Sequence, residues 1–216
     1  MMNGVKFDNL HSYEDLGLIL TSKTIGMPTP KTATIQVPGA DGELDYTEYF
    51  GDVKYSNRAL EFEFSIIEEP ADFLKIYSRL HNTLNGRKVK ITLDDDPGFY
   101  YTGRVFINEW KSNGRIGKVV IEANAEPYKL KDTRTLVSQI ISAATTINCK
   151  NSRKQVIPTI TTNAEITVTF GNYTVVFGPG TRTDEEIIFV QGQNLLTIAP
   201  KTGTATVSIE YQEGEL

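Results

Sequence analysis

Leu60-Glu61-Phe62-Glu63-Phe64-Ser65-Ile66 alternates apolar and polar side chains without a break. Successive side chains of an extended chain point to opposite faces, so this period of two gives one face to a core and the other to water. The stretch reads as a half-buried β-strand. A few residues on, the period changes. Phe73, Leu74, Tyr77, Leu80 and Leu84 recur at helical spacing, Pro70 suits a first helical turn, and Gly86 suits the position just past a helix end. After this helix the strand pattern returns in Val89 to Leu93, Phe99 to Trp110 and Lys118 to Ala125, with a turn at Asp94-Asp95-Asp96-Pro97-Gly98. Upstream, Leu16 to Leu20 and Lys31 to Val37 read as short strands separated by a turn at Gly26-Met27-Pro28-Thr29-Pro30.

The pattern breaks at Glu126-Pro127-Tyr128-Lys129-Leu130-Lys131-Asp132, where proline and charge interrupt it, and beyond this point Thr becomes abundant. Short apolar runs follow at Glu165 to Phe170, Tyr173 to Phe177, Glu186 to Val190, Asn194 to Ile198 and Ala205 to Tyr211, with Gly- and Asn-rich turns between them. Closely spaced β-formers without a helical stretch predict a small antiparallel β-sandwich. The sequence therefore predicts a mainly β chain in two domains, residues 1–130 with a sheet and one helix and residues 131–216 with the sandwich.

Composition sets limits on function. Of 22 basic and 27 acidic residues, 15 and 19 lie in residues 1–130, and 7 and 8 in the remainder. Neither part has the clustered cations that phosphate binding requires. Cys149 is the single cysteine, so no intrachain disulfide can form, which fits a reducing compartment. No apolar stretch approaches the length of a membrane span, and no apolar segment follows Lys6 as in a signal peptide. Synthesis in the cytoplasm without membrane insertion is expected.

Catalytic and metal-binding constellations are sparse. Only His11, in a predicted N-terminal turn, and His81, beside the apolar stripe of the helix, are available as imidazoles. Gly178-Pro179-Gly180-Thr181 lacks the Lys of a phosphate-binding loop and reads as a hairpin turn. Asp41, Glu43, Asp45 and Asp52 fall at positions one, three, five and twelve of a window that resembles a calcium loop, but Tyr46 stands where such a loop needs Gly, and a solvated hairpin is the simpler reading. Asp94-Asp95-Asp96 could attract a cation, against which Asp-Pro-Gly is a solvated-turn signature. Sugar binding by the second half would rest on Tyr173 and Tyr211, both in strands, where packing is the commoner fate. A glycosidase-like pair of carboxylates cannot be picked out without a fold. No catalytic residue, cofactor or metal site is assigned, and an enzyme is not expected.

Several elements in order carry a resemblance: Val37-Pro38-Gly39-Ala40-Asp41-Gly42, Tyr55-Ser56-Asn57-Arg58-Ala59-Leu60, Leu84-Asn85-Gly86-Arg87, Asp94-Asp95-Asp96-Pro97, Tyr100-Tyr101-Thr102-Gly103-Arg104 and Ala125-Glu126-Pro127-Tyr128. In this order they resemble the distal tail proteins of siphophages and prophages, and Val207 to Tyr211 with Gly214 and Leu216 resembles the end of that family's second domain. The resemblance implies a sixfold ring of N-terminal domains continuing the tail tube, and C-terminal galectin-like sandwiches that hold peripheral proteins. It implies as partners other copies of the chain, the tail tube protein and a tail-tip, tail-fibre or receptor-binding protein, with DNA passing through the lumen unbound, in the virion tail tip. The sandwich has no room for the carbohydrate-binding insertion of larger relatives, which favours a structural role over a sugar-binding adhesion module, the alternative. A closed ring needs heterologous contacts. Gly39 to Tyr55, with Asp41, Asp45, Tyr46, Tyr49 and Phe50, is the candidate arm for them, the alternative being an exposed hairpin. Arg58 would make a charge-assisted bond across the ring or pair locally with Glu61 or Glu63.

Overall fold

The computed structural model describes residues 3–49, 51–67, 70–113 and 115–216. The chain divides into two compact units, Met1–Lys129 and Leu130–Leu216. In chain order the first contains β1 (Val5–Phe7), β2 (Leu10–His11), β3 (Ile19–Ile25), β4 (Thr34–Gln36), β5 (Glu43–Asp45), β6 (Arg58–Ile67), α1 (Pro70–Thr83), β7 (Lys88–Leu93), β8 (Phe99–Asn113) and β9 (Ile116–Ala125). Seven of these strands form one sheet in the order β2-β1-β7-β8-β9-β6-β3, antiparallel at each pairing.

The alternating stretch forms β6 as its period demands. Leu60, Phe62, Phe64 and Ile66 are buried on one face, each contributing about 2 kcal/mol of apolar burial. The Phe62 ring meets Phe7 edge-on at 5.9 Å. α1 and the turn after it cover this core with Phe73, Leu80 and Leu84, and the helix sets Phe73 and Tyr77 against Trp110 with centroids 6.3 and 5.2 Å apart. Leu74, expected in the apolar stripe, is 70% exposed instead, since the stripe needs only the i, i+3, i+4 set from Phe73. His81 lies against Tyr77, ring centroids 4.6 Å apart and planes tilted by 55°.

A β-bulge between Ile107 and Glu109 explains why β8 does not alternate cleanly. Upstream of it Tyr101, Gly103 and Val105 are buried. Downstream the parity flips and Trp110 turns toward the helix.

One sequence expectation holds here with an addition, and one needs correction. The Asp94-Asp95-Asp96 turn is solvated as expected, with Asp94 and Asp95 exposed, and its carboxylates also make a three-way fastening. Asp94 accepts from the Gly4 amide at 2.8 Å and His11 Nε2 at 3.0 Å, Asp95 pairs with Lys23, and Asp96 accepts from Lys129 at 2.9 Å. His11 itself lies in β2, and its Nδ1 accepts from the Glu14 amide at 3.1 Å, leaving Nε2 as the nitrogen that donates to Asp94.

At the start of the second unit β10 (Lys129–Lys131) runs across the boundary residue; β11 (Thr135–Ile141), β12 (Thr145–Asn151), β13 (Thr159–Thr162), β14 (Ile166–Phe170), β15 (Tyr173–Phe177), β16 (Gly180–Arg182), β17 (Gly192–Pro200), β18 (Ala205–Tyr211) and β19 (Gly214–Glu215) follow. Two four-stranded antiparallel sheets, β11-β18-β13-β16 and β12-β17-β14-β15, enclose one core that includes Ile160, Val168, Phe189, Leu196, Ile198 and Ile209. This is the predicted sandwich, and the chain is mainly β with one helix among the described residues.

Two details differ from the sequence reading. Glu186 to Val190 forms no strand beyond an isolated bridge between Val156 and Phe189. Asp184 Oδ1 accepts from the Glu186 amide at 3.0 Å, and the resulting turn drops Ile187 and Phe189 into the core as plugs. Gly178-Pro179 is not a hairpin turn either. It carries the chain from β15 in one sheet to β16 in the other, and Gly180 meets the corner with φ +119°.

Candidate assembly surface

β4 and β5 pair only with each other, in the register Thr34–Asp45, Ile35–Leu44 and Gln36–Glu43. The Tyr46 amide donates to the Ala33 carbonyl at 2.8 Å and continues the ladder, and a bridge between Pro30 and Tyr55 closes its base. Pro38 to Gly42 makes the tip, with Gly39 and Gly42 at φ +83° and +73°, a backbone that side chains with a Cβ adopt at a cost. The arm therefore starts about eight residues earlier than Gly39, because Lys31 to Val37 supplies its first strand.

The ribbon is amphipathic. Alternation places Ile35, Leu44 and Tyr46 on one face and Thr34, Gln36, Glu43 and Asp45 on the other. Both faces are open: Ile35 is 55% exposed and Leu44 51%. An isolated two-stranded ribbon is marginally stable in water. Its polar face is internally tied. Gln36 Nε2 donates to Glu43 at 3.0 Å and the Thr47 amide to Asp45 at 2.8 Å. The Thr34 hydroxyl and the Gln36 amide hold the Glu43 carboxyl below its ordinary range, and the Thr47 hydroxyl and backbone amide do the same for Asp45. Bonds of this kind hold Glu43 and Asp45, two of the four carboxylates in the window that resembles a calcium loop, and no cluster of three metal-binding side chains occurs among the described residues.

At the base Tyr46 and Tyr49 meet edge-on at 6.0 Å, and Tyr49 is 72% exposed. They line a cleft of about 610 Å³ together with Pro30, Asp45, Val53 and Tyr55. Of the residues singled out in the sequence, Asp41, Asp45, Tyr46 and Tyr49 thus share the ribbon and its base, whereas Phe50 lies outside the described residues. Arg58 is elsewhere. It opens β6 with its side chain buried, 3% exposed, and its guanidinium stands 5.4 Å from the Tyr101 ring centroid. Pairing with Glu61 or Glu63 does not occur, because alternation along β6 puts Arg58 on the buried face with Leu60 and Phe62 and both glutamates on the opposite one. The sequence reading missed Ile35 and Leu44, although their placement on either side of Pro38-Gly39-Ala40-Asp41-Gly42 is a hairpin signal.

The second unit shows a different surface. Ser138, Ser208, Thr161 and Thr181 stand in one cross-strand row over the first sheet, and Thr146, Thr197, Thr169 and Thr174 in another over the second. Within the rows the hydroxyls bond to each other, Ser138 to Ser208 at 2.9 Å and Thr146 to Thr197 at 3.0 Å. Tyr211 is buried with its hydroxyl donating to the Lys150 carbonyl at 2.5 Å, and Tyr173 donates to Asp184 at 3.0 Å. The exposed large apolar side chains of this unit, Leu136, Ile140 and Leu195 among them, are aliphatic among the described residues.

A seven-stranded sheet with one helix and a free ribbon in the first unit, and a four-on-four sandwich in the second, define the class: a two-unit, mainly β protein. The crystal structure of the SPP1 Dit protein, described as a paradigm of the hub adsorption apparatus in phages infecting Gram-positive bacteria, matches it over 100% of both chains with a TM-score of 0.68 and 16% sequence identity. The fold expected from the resemblance in sequence is the fold observed. No protein-family model and no curated protein matches the sequence.

Proposed function

We propose that the chain is a structural component of the tail tip of a tailed phage or prophage, which assembles into a ring and links the tail tube to the tail-tip or receptor-binding machinery. The observation that carries this reading is the match in fold along the full length, both units included, to a hub protein of a phage adsorption apparatus. The amphipathic ribbon supports it, since an apolar face left open on a two-stranded element is the kind of surface that subunit contacts cover. Asp41, Asp45, Tyr46, Tyr49, Phe50 and Arg58 are the proposed contact residues, residues 1–130 the ring-forming domain and residues 131–216 the domain that meets peripheral partners. A ring fits heterologous contacts, because each ribbon then meets a different surface of the next copy. Its localisation is the virion, its partners are further copies, the tail tube protein and a tail-fibre or receptor-binding protein, and DNA crosses the lumen without specific binding. No helix among the described residues is long and apolar enough to cross a membrane.

Light scattering after size exclusion across a concentration series tests the reading. The expected result is a discrete species near six times the 24.1 kDa chain mass. A strict monomer at every concentration, together with affinity for glycans on an array, would replace the ring with the adhesion-module reading.

A further inference from the structure

One buried charge stands apart from the rest of the first unit. Arg58 begins β6 on the core side, above Leu60, at 3% exposure. Its Nε and Nη2 are buried and have no acceptor among the described residues, and the face of Tyr101 is its one assigned contact. A ring face compensates a guanidinium in part, but leaves directional N–H donors unspent. A buried charge without a partner is costly, and apolar side chains of similar volume fill such positions at no such cost. Arg58 also lines a surface cleft of about 300 Å³, shared with Asn57, Phe106, Glu122 and Asn124. The Glu122 carboxylate there is engaged by the Asn108 amide, and Phe106 is 43% exposed at mid-strand.

The complementary group lies on the ribbon. Between Lys31 and Lys54 the chain has five carboxylates, Asp41, Glu43, Asp45, Glu48 and Asp52, and no cation. Glu43, Asp45 and Asp52 accept bonds from Gln36, Thr47 and Val53. Asp41, at the ribbon tip, and Glu48, at its base, have no side-chain hydrogen-bond or ion-pair partner among the described residues, and Asp41 is the one carried at the far end of the ribbon. Within one chain Asp41 and the free guanidinium do not meet.

We propose that Arg58 receives the Asp41 carboxylate of a second copy of this chain, so that the ribbon tip of one subunit completes the buried charge of the next. The inference rests on the assembly reading above and adds the residue pair that directs it. With Nε and Nη2 enclosed, Nη1 is the nitrogen left to donate to a carboxylate entering the cleft, in a charge-assisted bond that also compensates the buried charge. The contact is heterologous, tip to cleft, and each copy offers one of each, so it propagates around a ring.

The test compares wild type with Asp41→Asn, Arg58→Met and the double variant, by sedimentation equilibrium for self-association and by thermal melting for the subunit. Each single change should weaken association by about tenfold or more, and the double variant should lose little beyond either single, because the two residues form one interaction. Arg58→Met should at the same time leave the dissociated subunit as stable as wild type or more so, an opposite shift that a purely structural arginine would not give. Wild-type association in both single variants, or losses that simply add, would overturn the pairing while leaving the ring intact. A wild-type chain that never associates would overturn the pairing and the ring together.

Discussion

The sandwich and the ribbon treat their exposed backbone and side chains in opposite ways. In the second unit each outer sheet face carries a four-strand row of hydroxyls that bond to one another, while the core side is filled by Phe189, Tyr211 and the aliphatic strands. Its buried polar groups are largely matched, with Asn151 Oδ1 the exception among the described residues. The ribbon of the first unit has both sheet edges open and an apolar face in water, and the same unit holds an arginine without an acceptor. A unit whose bonds close on themselves needs no partner to satisfy them. On the assembly reading the open bonds are the ones a neighbour satisfies, so core substitutions should be read out as stability and ribbon substitutions as assembly.

The largest effect on that division should come from Phe189→Ala. Phe189 is fully buried, edge-on to Tyr211 at 5.1 Å and near Phe170 at 6.1 Å, in a segment with no strand to hold it. Removing the ring leaves a cavity and should cost about 4 kcal/mol in chemical denaturation. A loss below about 1 kcal/mol would mean that the 186–190 segment is a flexible cover rather than part of the core.

Glu213 gives a smaller effect with a pH signature. It is 8% exposed and accepts from Lys131 at 2.6 Å, from Ser152 at 2.9 Å and from Thr135, tying the chain end to β10, β11 and the segment after β12. Burial pushes its carboxyl up, but the bonds from Lys131, Thr135 and Ser152 outweigh this and bring it below the ordinary carboxylate range. With the folded pKa below the unfolded one, the stabilisation is complete above the unfolded pKa and fades as pH falls through the folded value. Glu213→Ala should cost about 2 kcal/mol at neutral pH and flatten the loss of stability on acidification below pH 4.5. An unchanged acid limb would assign the acid sensitivity to other carboxylates.

These residues also show where the sequence was legible. β6 could be read from seven letters because its alternation is unbroken and its face is fully buried, and α1 because Phe73, Tyr77, Leu80 and Leu84 keep one period. Strands β11, β12, β13 and β16 were not read, since Ser, Gln, Asn and Gly interrupt them and their Thr residues blur the contrast between an apolar and a polar face until the cross-strand hydroxyl rows are seen. Glu186 to Val190 misled in the other direction: alternation marks burial, and burial of Ile187 and Phe189 came from a turn. Arg58 could be flagged by its place at the start of the alternating stretch, but its burial could not, because a charged residue at a strand start is ordinarily solvated.

The ribbon should answer with the smallest change in stability. Ile35 and Leu44 face each other across β4 and β5 at 55% and 51% exposure, so neither contributes much burial to the free subunit. Replacing both with Thr keeps the β-propensity of the strands and the ladder, and the loss in subunit stability should stay within about 0.5 kcal/mol by denaturant titration. Association should weaken in the same variant, since the apolar area that a neighbour would cover is gone. Melting that drops by several degrees with association intact would place Ile35 and Leu44 in the subunit's own core energetics, and the division between a closed sandwich and an open ribbon would fail at the residues on which it most depends.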